Sequence, residues 1–295
     1  MLLSWDDLDS KTLTEPPFFI WPYIPERSIV LLWGKTSSGK SPLSWSWARA
    51  IGSGEEWFGL PTRKGKVLYI EMDTPEVVAV PRIQKLESAP NVWFLFTQPL
   101  SLPHPPPEEQ LKELREAAAL EPDVVFINTL RKVHDLDDKD SRAPKVVYSW
   151  FQSFFPLSSL IFIHHPKKVP SNPDHGGPDD ETFSGSMAWS NDAQVGLRLE
   201  PHGKDLRLWL HKSQASPKVR PLPLRLAEGV YLSSPLYDEM AQVQTILERM
   251  ASAPASLRDA EIAKALACSP ATAKRRRLLI EAALFPGRWL EIDET

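Results

Sequence analysis

Apolar residues recur along the chain in two rhythms. Short, almost uninterrupted apolar runs at 28–34 (SIVLLWG), 66–73 (KVLYIEMD), 91–96 (NVWFLF), 123–128 (DVVFIN) and 159–165 (SLIFIHH) predict strands. Their two-sided apolarity is that of a parallel sheet covered on both faces. Between them lie stretches with a helical period. Residues 41–54 (SPLSWSWARAIGSG) are stopped by Gly52 and Gly54, and 107–120 (PEEQLKELREAAAL) open on Pro107 and keep Leu111, Leu114 and Ala118 on one face. Two later runs, 194–200 (QVGLRLE) and 206–212 (LRLWLHK), alternate apolar and polar and predict an antiparallel pair. This order predicts a doubly wound α/β core from about residue 15 to about residue 232.

The rhythm breaks at 131–144 and 166–186, rich in charge or in Pro, Gly and Asp, which predict mobile loops. Residues 231–239 (YLSSPLYDE) read as a linker, giving domains 1–232 and 238–295. The second is mainly helical, with helices predicted around 243–250, 256–266 and 269–284, Ser269 as N-cap and Pro270 at the first helical position. With GRWLEI (287–292) as a wing strand, it resembles a winged helix-turn-helix, whose last helix enters the major groove. Thr272, Lys274, Arg275 and Arg276 are then the expected contacts with double-stranded DNA. A protein-docking helical module with a solvated basic run is the alternative.

Composition narrows this picture. The 295 residues, 42% hydrophobic, suffice for one large domain and a small one. A net charge of −4 confines any nucleic-acid contact to a local patch. The lone Cys268 excludes an internal disulfide framework. The N-terminal residues MLLSWDDLDSK lack a signal-peptide layout, and no apolar run reaches the ~20 residues of a membrane span. A cytoplasmic protein without a membrane partner is expected.

The chemistry begins at Gly34-Lys35-Thr36-Ser37-Ser38-Gly39-Lys40-Ser41, which fits the phosphate-loop pattern G-x-x-x-x-G-K-[ST] between a strand and a helix. Backbone N–H groups there would close around phosphate oxygens, Lys40 would meet the β- and γ-phosphates, and the Ser41 hydroxyl would bind Mg2+. ATP and Mg2+ are the expected cofactors. Glu71 and Asp73, two apart at the end of a strand, are expected to face the same side, where a carboxylate can orient or deprotonate water. Asn128 ends the strand that in this fold ordinarily closes on the metal-associated aspartate. Removing one unit charge ~4 Å from a cation costs roughly 1–4 kcal/mol per unit of cation charge. Its amide oxygen can still face a metal-bound water, and an asparagine capping the strand-to-loop turn is the bland alternative.

Together these residues resemble the RecA-like ATPases, specifically the plasmid RepA-type hexameric helicases and, more distantly, the DnaB-type replicative helicases. The resemblance spans residues 3–215 and includes WPYIPERSIVLLWG, GKVLYIEMDTPEVVAVPRI, EPDVVFINTL, LIFIHHPKK and SGSMAWSNDAQVGLRL. It implies a RecA-like phosphate-loop core with a mainly parallel sheet, and Asp73 in the place of the catalytic glutamate with Glu71 as a second acid. It also implies His165 as γ-phosphate sensor and Lys212 reaching a neighbouring subunit's nucleotide. The departures are Asp73, one methylene short, Asn128, Ser184 and Gln214 where arginines are usual. Lys167 and Lys168, like Arg131 and Lys132, would track single-stranded DNA from channel loops. A hexameric DNA helicase in replication of a plasmid, phage or other mobile element, with a primase or helicase as partner, is the expectation. A nucleotide-gated DNA-binding regulator or a helicase loader is the rival.

Overall fold

The computed structural model describes residues 17–137, 140–165, 188–216, 218–250, 252–274 and 277. A small ribbon, β1 (Phe18–Ile20) with β2 (Ile24–Pro25), precedes the main sheet. That sheet is built from β3 (Ile29–Trp33), β4 (Val67–Glu71), β5 (Val92–Phe96), β6 (Val124–Asn128), β7 (Ser159–His164), β8 (Val195–His202), β9 (Asp205–Ser213), β10 (Leu222–Ala227) and β11 (Tyr231–Ser233). Their order across it is β11-β10-β9-β8-β3-β7-β6-β4-β5. From β8 to β5 neighbouring strands are parallel, and β9, β10 and β11 extend the sheet antiparallel.

Strand alternation explains the uninterrupted apolar runs. Val30, Leu32, Tyr69, Phe126, Ile161 and Ile163 point to one face, where α1 (Lys40–Ser53) lays Leu43, Trp47 and Ile51 on them. Leu31, Leu68, Ile70, Val125, Ile127 and Phe162 point to the other, under α3 (Glu108–Ala118) and α4 (Ala143–Phe154), through Leu114, Val147 and Phe151. Both faces are dry, so no position in these strands can be polar until the strand ends.

Those ends matter for function. The carboxyl ends of β3, β7, β6 and β4 lie side by side, which is where ligands bind in open α/β sheets. The chain therefore brings the segments following residues 33, 164, 128 and 71 to one rim.

Several expectations are corrected. The strand predicted over 66–73 stops at Glu71, so Asp73 lies in the loop beyond it. The helix α2 (Glu76–Ile83) was hidden by Val77, Val78 and Val80 and by Pro81 inside it. The loop predicted at 131–144 is structured at both ends: Leu130–Lys132 form a 3-10 turn, Val133 and His134 are buried, and α4 begins at Ala143. Arg131 and Lys132 thus belong to an ordered turn, in which the Lys132 carbonyl accepts from the Leu100 N–H. The 231–239 linker is instead β11 and the first turn of α6 (Pro235–Arg249). β10 escaped notice because Pro221 and Pro223 interrupt its strand pattern.

Beyond α6 comes α7 (Ala255–Ala265), and residues 270–274 and 277 are helical. Val243, Ile246, Ile262 and Ala273 form a small core of their own. The Ser269 hydroxyl accepts the Thr272 N–H at 3.2 Å, the expected N-cap bond. The wing at 287–292 lies outside the described residues.

Candidate functional site

The phosphate loop leaves β3 and turns into α1. Ser37 (φ 62°) and Gly39 (φ 88°) supply the left-handed backbone of the turn. Gly34 is needed for space: a Cβ there would lie 2.1 Å from the Leu199 carbonyl oxygen of β8. Gly34→Ala is therefore expected to push the loop off β8 and abolish ATP binding, with a lowered melting temperature; calorimetric titration and a thermal scan read both.

Lys40, 2% exposed, folds back over the loop. Its Nζ donates to the carbonyls of Gly34 (2.8 Å) and Lys35 (2.6 Å), with Ser38 Oγ at 3.4 Å. These carbonyls stand in for the phosphate oxygens that an anionic ligand would bring. Burial lowers the Lys40 pKa to about 8, the Asp73 carboxylate pulling the other way. The sign for binding follows. Below pH 8 the ammonium is already charged, and above it the lysine must take up a proton to meet the phosphates. ATP affinity is thus expected to fall above pH 8, by up to about tenfold per pH unit. Calorimetry in two buffers of different ionisation heat should show proton uptake there, and an affinity flat across that range would refute it.

Facing the loop across a cavity of about 310 Å3 are Asp73, Arg82, His165, Leu226 and Gly229. Asp73 is half-exposed at the mouth. His165, following β7, places Nε2 4.0 Å from Asp73 Oδ2. That contact is not an ion pair. Burial, with Lys40 and Arg131 nearby, lowers the His165 pKa to about 4 despite Asp73, so the ring is neutral at physiological pH. A neutral imidazole can bond a phosphate oxygen through N–H without adding charge.

Arg82, Leu226 and Gly229 escaped the sequence reading. Arg82 donates to the Gly229 carbonyl at 3.0 Å and lies 5.1 Å over the Trp45 ring, bridging α2 and the β10–β11 turn. Only the tertiary fold brings that hairpin to the phosphate loop. The nine-residue spacing of Arg82 from Asp73 carries no local signal.

Glu71 and Asn128 lie behind this rim. They are paired in register on β4 and β6 and are 2% and 1% exposed. Glu71 therefore does not share the cleft with Asp73, contrary to the expectation from period-2 alternation, because the strand ends between them. Burial raises the Glu71 carboxyl pKa, against hydrogen bonds from Thr74, Asn128 and Asp73 that lower it.

No group of three or more His, Cys, Asp or Glu that could hold a metal occurs among the described residues. Magnesium keeps waters and substrate phosphates as ligands and needs few protein oxygens. Ser41, beside Lys40 in the first turn of α1, offers a hydroxyl, and Asn128 Oδ1 is buried with no hydrogen-bond partner among the described residues. The donor set is oxygen only and fits Mg2+ arriving with a nucleotide.

Lys212 is engaged within its own chain. Its Nζ donates to the carbonyls of Ser190 (3.1 Å), Asn191 (2.7 Å) and Ala193 (2.7 Å), closing the end of the short α5 (Ala188–Asp192). All three ammonium donors are committed within the chain, because the end of a helix leaves carbonyls that need partners. Gln214 donates its backbone N–H to the Gln194 carbonyl. Thr272 is half-buried with its hydroxyl 2.9 Å from Ser269 Oγ, and Lys274 is exposed. Lys167, Lys168, Ser184, Arg275 and Arg276 lie outside the described residues.

A family model described as an AAA domain matches residues 1–171. Among solved structures, one described as an ATPase domain superposes with a TM-score of 0.51 at 11% identity, over 70% of this chain and 84% of that one. A KaiC-like protein of Pyrococcus horikoshii gives 0.49 at 12% identity, over 73% and 93% of the two chains. The flagellar accessory protein FlaH of Methanocaldococcus jannaschii gives 0.47 at 14%, over 72% and 90%. The likeness to the ATPase domain bears on the fold, which is α/β with a mainly parallel central sheet. No curated protein matches the chain in sequence. Among the described residues no helix is long and apolar enough to cross a membrane.

Proposed function

The chain belongs to the AAA domain family, and from that premise we propose that it binds and hydrolyses Mg2+-ATP as a RecA-like motor acting on DNA. The observation that carries the reading is the convergence of Lys40, Asp73, His165 and Arg82 on one cleft over the phosphate loop. Lys40 exchanges its carbonyl partners for the β- and γ-phosphates, and the loop N–H groups hold their oxygens. Asp73 accepts the proton of the attacking water, which its place at the mouth, rather than inside the sheet, allows. His165 as a neutral donor reads the γ-phosphate. Arg82 lends positive charge from the far wall. Ser41 and the Asn128 amide oxygen would hold magnesium, which supplies charge neutralisation at the phosphates when bound.

On this reading the protein assembles as an oligomer of the hexameric helicase kind and acts in replication of a mobile element. Single-stranded DNA is tracked by Lys167 and Lys168, and a double strand by Thr272, Lys274, Arg275 and Arg276. Lys212 reaching a neighbour's nucleotide requires release of its three carbonyls. That engagement favours a second reading, a nucleotide-gated DNA-binding regulator with slow turnover. ATP turnover with and without single-stranded DNA, strand unwinding and oligomeric mass decide between them. The motor reading expects DNA to stimulate turnover in an assembled ring. Tight ATP binding with no unwinding at any DNA length sinks it.

A further inference from the structure

We propose that Asn128 is a positioning residue: its amide is the partner that an acid at position 71 requires, and the two together hold Asp73 over the phosphate loop. The proposal rests on the ATPase reading for what Asp73 does, and on geometry alone for the pairing. β4 and β6 run parallel with Glu71 opposite Asn128, both side chains buried. Asn128 Nδ2 donates to both carboxylate oxygens of Glu71, at 3.1 Å to Oε1 and 2.8 Å to Oε2. Glu71 Oε1 also accepts the backbone N–H groups of Asp73 and Thr74, each at 2.9 Å. The Met72 N–H donates to the Asn128 carbonyl at 2.7 Å, tying the same loop to the same residue.

One carboxylate thus gathers two backbone N–H groups and one side-chain amide. Its negative charge is what makes those bonds strong, and their convergence fixes where the chain leaves β4. Asp73 takes its place over the phosphate loop because its own N–H is held this way. An aspartate at 128 would have no N–H to give. It would set two carboxylates at hydrogen-bonding distance in a dry site, where like charges repel, and Glu71 would be turned away from the loop it anchors.

The amide at 128 therefore does not mark a charge missing from the site. Acid and amide are divided between adjacent strand ends, and one buried negative charge remains. The pair also sets the amide's orientation: with Nδ2 committed to Glu71, Oδ1 is the atom left for an outside partner, and it has none among the described residues.

The test is a cycle of four proteins: wild type, Asn128→Asp, Glu71→Gln and the double variant, which restores one acid and one amide with the strands exchanged. Without nucleotide, hydrogen exchange of the Asp73 and Thr74 amides and the melting temperature are measured; with ATP, kcat and KM. Each single variant is expected to speed exchange at both amides by roughly ten- to a hundredfold, the loss of a hydrogen bond to a charged group. kcat should fall while KM moves little, and the double variant should recover exchange and kcat towards wild type. An Asn128→Asp protein with faster turnover and unchanged exchange overturns the proposal, as does a double variant that recovers neither folding, exchange nor turnover. Failure of wild type to bind ATP would remove the ATPase reading and leave the exchange cycle to decide the pairing.

Discussion

Asp73→Asn is expected to lower ATP turnover by roughly 10²–10⁴-fold, the range for loss of a general base, while ATP still binds. The carboxylate stands at the mouth of the cleft, half-exposed, with Lys40 and His165 as its ionisable neighbours. His165 cannot replace it, because burial and, after it, Lys40 lower the ring's pKa to about 4, too weakly basic to draw a proton from water. Glu71 cannot replace it either, since its carboxylate is buried and held by Asn128 and two backbone amides. Binding should be kept or tightened, because the substitution removes a negative charge near the incoming phosphates. Asp73→Glu extends the carboxylate by one methylene and is expected to retain turnover. Single-turnover hydrolysis measured beside equilibrium binding separates the two steps. Wild-type rates in Asp73→Asn would remove this residue from the mechanism.

A second large effect is expected in the C-terminal module. Arg277→Ala should destabilise it by about 3–5 kcal/mol, the usual result of removing one partner from a buried ion pair. Arg277 Nε lies 2.6 Å from Asp259 Oδ1 and Nη2 3.5 Å from Oδ2, with the two side chains 7% and 16% exposed. Losing the guanidinium strands the Asp259 carboxylate beside a core that, among the described residues, is built on Val243, Ile246, Ile262 and Ala273. Replacing both partners by apolar residues, Arg277→Met with Asp259→Leu, should be far milder, since no charge is then left buried alone. Hydrogen exchange across α6 and α7 measures this locally, without relying on the α/β core to unfold. Equal destabilisation by the single and double replacements would show that packing, not charge, holds the pair. The pair also takes Arg277 out of the basic run from Lys274, so its charge serves the fold of the module.

Much of the α/β core was legible because each strand is apolar on both faces, a signal that survives without any knowledge of neighbours. Val124 to Ile127 are all buried, and their β-branched and aromatic side chains in so short a run favour a strand. The phosphate loop was legible for a related reason. Its glycines and lysine must be adjacent in the chain to build one turn, so the whole device lies in eight consecutive residues. α2 was not legible, because three valines and a proline argue locally against helix, and tertiary packing of Ala79 and Ile83 overrides that preference.

The parallel sheet, the phosphate loop and the types of residue at the strand ends can be read along the chain, because periodicity and local turn geometry are properties of neighbouring residues. What each of those residues touches depends on the fold. Glu71 and Asp73 are two apart in the chain, yet one is buried against Asn128 and the other opens on the cleft. Lys212 became a helix-end clamp, and Arg82 joined the site across the β10–β11 turn. Such roles depend on hydrogen-bond partners and burial supplied by distant segments, and these exist only once the strands are set in order.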